Sequence, residues 1–143
     1  MERYPGISIG MACGGENKNF RHTWLRPLLV FADHPLLVDP IAVMECQLTG
    51  KEMPQETYKA LERGVVVMWL VPRNQRPFAK LNWYAPHDPI FSLRFIQHFE
   101  SLYSRHGHSR YFDLWFWNGA QQGTGEPPIF TGGEWGQKEL MAP

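Results

Sequence analysis

Phe91, Phe95, Ile96, Phe99, Leu102 and Tyr103 fall on one arc of a 3.6-residue period, while Arg94, Gln97, Glu100, Ser101, Ser104 and Arg105 fall on the opposite arc. This pattern predicts an amphipathic helix. Asp88-Pro89 supplies its start signal, a capping carboxylate before a proline that needs no N–H partner, and Gly107 its stop. Asp39-Pro40 repeats the start signal ahead of Ile41, Met44 and Leu48, with Gly50 as the stop. Residues 54–63 read as a further helix with Tyr58 and Leu61 inward and Gly64 as its cap.

Other segments alternate or run apolar. Ile7, Ile9 and Met11 alternate with small residues and suit a short strand ending at Gly14-Gly15. Residues 23–32 read as a second strand, placed at an edge because Pro27 lacks a ladder donor. The run 65–71 is apolar on both faces and bounded by Gly64 and Pro72, as in a central strand covered on both sides. Residues 78–84 alternate and predict a hairpin partner for it across the polar loop 72–77. Residues 110–117 form the last strand. Phe112, Leu114 and Phe116 make one apolar face; Tyr111, Asp113, Trp115 and Trp117 make an aromatic face with one charge.

These elements predict an α+β fold: a two-layer sandwich with a mostly antiparallel or mixed sheet of about five strands and about three helices on one face. The domain spans residues 1–117. Residues 118–143 carry six Gly and three Pro without periodicity, and Ile129, Phe130, Trp135 and Leu140 punctuate them. A flexible linker lacks such anchors, so this stretch is expected to be an irregular arm that docks on its own domain or on a neighbour.

Composition sharpens the picture in three ways. The charge is balanced, 14 basic against 14 acidic residues, which disfavours duplex DNA binding and lets copies approach without repulsion. Aromatic residues reach 14%, with six Trp, an excess that fits a dense core, a binding face or both. The two cysteines, Cys13 and Cys46, cannot make a disulfide framework, and the longest apolar run is only seven residues. A membrane-spanning helix needs about 20. A soluble cytoplasmic protein with reduced thiols is expected.

Candidate chemistry is sparse. Cys13 precedes two glycines, which could offer backbone N–H groups to an oxyanion with His22 or His34 as base. The plainer reading is a small thiol at a strand end. The six histidines follow no metal-ligand spacing, and no metal or cofactor is expected. Gly10 and Gly15 have a phosphate-loop gap, but Glu16 stands where the lysine belongs. Arg73, Arg76, Lys80 and Trp83 mix base and aromatic character as single-strand nucleic-acid sites do. The balanced charge weighs against that reading.

The expected function is therefore a non-catalytic protein-protein interaction module, with a regulatory or assembly role. Its partner is another protein or a second copy, and its interface comprises Tyr111, Trp115 and Trp117 on the sheet with Phe130 and Trp135 on the arm. A single-stranded nucleic-acid binder and a small Cys13/His22/His34 enzyme are the alternatives.

Overall fold

A computed structural model describes residues 7–15, 25–85 and 87–119. The arm anchors Phe130 and Trp135, like His22, lie outside the described residues. Among the described residues the fold is α+β, with a four-stranded mixed sheet and four helices. In chain order these are β1 (Ile9–Met11), α1 (Arg26–Phe31), α2 (Pro40–Leu48), α3 (Gln55–Glu62), β2 (Met68–Pro72), α4 (Leu93–Leu102), β3 (Tyr103–His108) and β4 (Phe112–Trp117). The sheet order is β1-β2-β4-β3. β1 and β2 run parallel, and β4 is antiparallel to both β2 and β3.

Strand alternation divides the apolar residues into two cores. Ile9, Met11, Met68, Leu114 and Phe116 cluster on one face, where Leu29 of α1 joins them. Trp69, Val71 and Tyr103 point to the other face. There Met44 of α2, Tyr58 and Leu61 of α3, and Phe95, Ile96 and Phe99 of α4 cover them. Helices thus pack on both faces rather than one, because α1 sits opposite the other three.

Phe78 occupies the middle of the second core. It is fully buried, and its ring makes edge contacts with Trp69, Phe91, Phe95 and Phe99 at centroid distances of 5.5, 4.9, 5.1 and 5.0 Å. Each such pair adds about 0.5–1.5 kcal/mol beyond area burial. Its backbone has φ 59°, a left-handed conformation that costs a bulky residue roughly 1–2 kcal/mol. The ring cluster holds it there.

That conformation corrects the expected 78–84 strand. The segment is irregular: Phe78 N–H donates to the Cys13 carbonyl (2.7 Å), Asn82 N–H to Asp88 (2.7 Å) and Ile90 N–H to Lys80 (3.0 Å). β2 finds its antiparallel partner in β4 instead. The 23–32 strand is corrected too. Residues 26–31 are helical, and Pro27 lies in the first turn, where its missing N–H is harmless.

The start of α4 is displaced from Asp88-Pro89. Ser92 caps it, its hydroxyl accepting from Phe95 N–H (3.1 Å), while Ile90 and Phe91 enter the core from irregular backbone. Gly107 is not its stop, since the helix ends at Leu102 and Tyr103 opens β3, a strand the sequence pattern did not announce. Tyr103 stacks on Phe99 (4.6 Å between centroids) and donates its hydroxyl proton to the Val66 carbonyl (2.7 Å). Burial pushes that phenol up to about 12. The ladder between β3 and β4 shifts register between Arg105 and Gly107.

Other expectations hold. Asp39 caps α2 through Ile41 N–H (2.9 Å), α3 buries Tyr58 and Leu61, and β2 is central with neighbours on both sides. Asp113 is buried, receives Asn74 N–H on Oδ2 (2.9 Å) and lies 2.8 Å from the Arg105 guanidinium. It thereby ties the turn after β2 to the β3–β4 pair.

Gly64 ends α3 at φ +64°, and a Cβ there would fall into the indole of Trp117. Gly50 has a similar φ of +72° but open space around it. Gly64→Ala therefore combines about 1–2 kcal/mol of backbone strain with about 1–3 kcal/mol of overpacking, whereas Gly50→Ala carries the strain alone. Urea unfolding of the two variants should separate them by at least about 1 kcal/mol. Equal losses would contradict the Trp117 placement.

Candidate partner-binding surface

α1 has the sequence Arg-Pro-Leu-Leu-Val-Phe, preceded by Leu25. A helix this short is marginal alone and depends on what it packs against. Its packing inverts the usual arrangement. Arg26, the one charged residue, is buried beside Leu29, while Leu25, Leu28, Val30 and Phe31 face solvent. Leu28 is 58% exposed and Phe31 85%. A helix that is apolar around its circumference is ordinarily buried on all sides. Leu36, just beyond, is exposed as well, and a shallow cleft lined by Gly10, Met11, Leu29, Val30, Leu36 and Trp69 borders the helix.

The inversion accompanies one ion pair. Arg26 Nη1 lies 2.8 Å from Asp39 Oδ1, the oxygen that also caps α2. One carboxylate thus draws the guanidinium inward and starts the next helix. Partial burial raises the Asp39 pKa, but the Arg26 hydrogen bond and charge, with the N–H groups of Ile41 and Ala42, outweigh it and hold the carboxyl below its ordinary range. At its other end α1 turns through Asp33, at φ 60°, and His34 N–H closes on the Leu29 carbonyl (2.9 Å).

The residues singled out from sequence are scattered over the fold. Trp115 and Trp117 are partly buried and pack against the core under α3 and α4, with Trp115 5.9 Å from Phe99. Tyr111, at the turn before β4, is exposed. Arg76 is held by Glu100 through two bonds of 2.7 and 2.9 Å, and this pair lowers the Glu100 pKa. Lys80 is buried, Arg73 reaches toward the Ser109 carbonyl (3.4 Å), and Trp83 is exposed. These four do not form one open basic face.

Cys13 follows β1 in the core. Burial pushes its thiol up to about 12, against partial opposition from the Lys80 backbone and the charges of Lys80 and Arg26. That is opposite to the lowered pKa of an activated cysteine. His34 Nδ1 accepts the Ile9 N–H (3.1 Å), so that ring nitrogen is already occupied. No group of three or more His, Cys, Asp or Glu among the described residues is placed to hold a metal ion. No helix of the described residues is long and apolar enough to cross a membrane.

Two measurements follow from this geometry. A thiol reagent at neutral pH should modify Cys46, which is exposed, and leave Cys13 untouched until the chain unfolds. Rapid native labelling that survives Cys46→Ser would overturn the buried assignment. Asp39, with its folded pKa depressed, contributes stability that is fully present above the ordinary carboxylate range of about 4 and is lost as pH falls through the lower folded value. Stability measured from about pH 5 to pH 2 should fall less steeply in Asp39→Asn than in wild type. Asp39→Ala should cost about 1 kcal/mol more than Asp39→Asn, since only Asn still caps α2.

No protein-family model matches the chain, and comparison with curated proteins and with solved structures found no match.

Proposed function

We propose that the protein is a non-catalytic interaction module that pairs with a second copy of itself through α1. The supporting observation is the inverted polarity of that helix: Arg26 points into the protein beside Leu29, while Leu28, Val30 and Phe31 point out. Leu25, Leu28 and Phe31 lie three residues apart, so they form one stripe along the helix. A stripe of this kind can meet its own copy across a twofold axis, where each apolar residue faces another. The zero formal charge removes the electrostatic penalty that would keep two copies apart. Tyr111 also remains on the surface, at the turn before β4. The other two sheet aromatics, Trp115 and Trp117, already serve the core, so the described surface puts more weight on α1 than on β4.

An activated-thiol reading gains nothing from a Cys13 whose pKa is raised. A single-strand reading is weakened by the Arg76–Glu100 pair and the burial of Lys80.

Light scattering on the full chain at about 100 μM, well above the micromolar dissociation constants of ordinary stable pairs, should give twice the chain mass. Leu28→Glu with Phe31→Glu should give the single-chain mass with folding stability changed by no more than about 0.5 kcal/mol per site, as for other surface positions. A wild-type monomer would sink the proposal. A chain ending at Asn118 separates α1 from the arm: a dimer that persists assigns the contact to α1, and a monomer assigns it to residues 119–143.

A further inference from the structure

Among the described residues β1 is an edge strand of three residues, and an edge strand leaves backbone groups without a ladder partner on one side. Ile9 N–H resolves this by donating to a side chain, His34 Nδ1, at 3.1 Å. His34 is half-buried, and it reaches that position because the turn after α1 is closely specified. Ala32 N–H donates to Leu28 and Leu29, Asp33 N–H to Val30 and His34 N–H to Leu29, with Asp33 in the left-handed region. The imidazole therefore joins the end of α1 to the sheet edge.

A backbone N–H can only donate, so His34 must accept at Nδ1 and carry its proton on Nε2. A second proton turns the acceptor into a donor, and two donors cannot share the contact. Among the described residues of β1, α1 and the turn that carries it, no ionisable group substitutes for that acceptor. β1 brings none between Ile9 and Met11, α1 brings Arg26, which Asp39 already holds, and Asp33 is the exposed residue of the turn itself.

We infer that His34 is a proton-sensitive latch between α1 and the edge of β1, so that mild acid releases the Ile9 amide and loosens the seat of the α1 surface. The latch follows from the Ile9–His34 contact alone; its effect on association rests on the pairing surface proposed above.

Amide exchange of the full chain, read by NMR as the Ile9 protection factor at about pH 7.5 and about pH 5, brackets the range in which an imidazole changes charge. Wild type should lose about tenfold or more in protection at the lower pH, the scale of one hydrogen bond left unmade. His34→Asn, whose Oδ1 can accept in place of Nδ1 and does not titrate, should keep the same protection at both values. His34→Ala should be poorly protected at both. Unchanged wild-type protection, or an equal loss in His34→Asn, would overturn the latch. Nitrogen-15 spectra of the wild-type imidazole provide a readout independent of any variant: a proton on Nδ1 at neutral pH would also overturn it. Light scattering at the same two pH values tests the two ideas apart. A latch that opens while the mass stays double removes the link to association, whereas a monomer at both values removes the pairing surface and leaves the latch standing.

Discussion

The ring cluster around Phe78 is the constraint on which the rest of the fold depends. Its four neighbours come from β2, α4 and the irregular segment before α4, so one side chain joins the sheet to the helical layer. Bulky rings in close contact leave few alternative arrangements, because interiors packed at crystal density do not deform smoothly. The unfavourable backbone of Phe78 follows from that demand. The chain accepts local strain to put a large ring where the core needs it. Residues 78–84 do not form the expected strand, and β2 takes β4 as its antiparallel partner instead.

The ion pair of Arg26 and Asp39 acts on the outside of the molecule as the ring cluster acts on the inside. An isolated buried guanidinium is costly, and the carboxylate that offsets it is also the cap of α2. Two helices on opposite faces of the sheet are thereby fixed by one side chain. The consequence for the surface is indirect. With Arg26 turned inward, α1 has no polar residue left to offer to water, and its outer side is made of Leu, Val and Phe.

Features with local causes were legible in the sequence. The Asp39-Pro40 start, the apolar run that became β2, the inward arc of α4 and the aromatic last strand each declare themselves within a dozen residues. Features set by distant partners were not. Pro27 is compatible with an edge strand and with a first helical turn; the structure has the helix, held by contacts outside the segment, Leu29 on the sheet and Arg26 on Asp39 thirteen residues on. Alternation at 78–84 imitates a strand, while the rings that bend Phe78 away come from elsewhere in the chain. Ser-Arg-His-Gly-His carries no strand pattern and is extended because β4 lies beside it. The same limit applies to the candidate surface. Composition shows that Leu28 and Phe31 are apolar, but their outward direction goes with the inward position of Arg26. The sequence signal that could have exposed it is a single charged residue inside an otherwise apolar run, followed by a capping carboxylate.

The borders of the sheet have a bearing on aggregation. One border is three residues long and closed in part by an imidazole; the other, β3, is interrupted by the register shift between Arg105 and Gly107. Neither offers the long flat row of donors and acceptors on which strands stack without limit. Among the described residues, growth by adding β-structure is thus discouraged at both borders of the sheet.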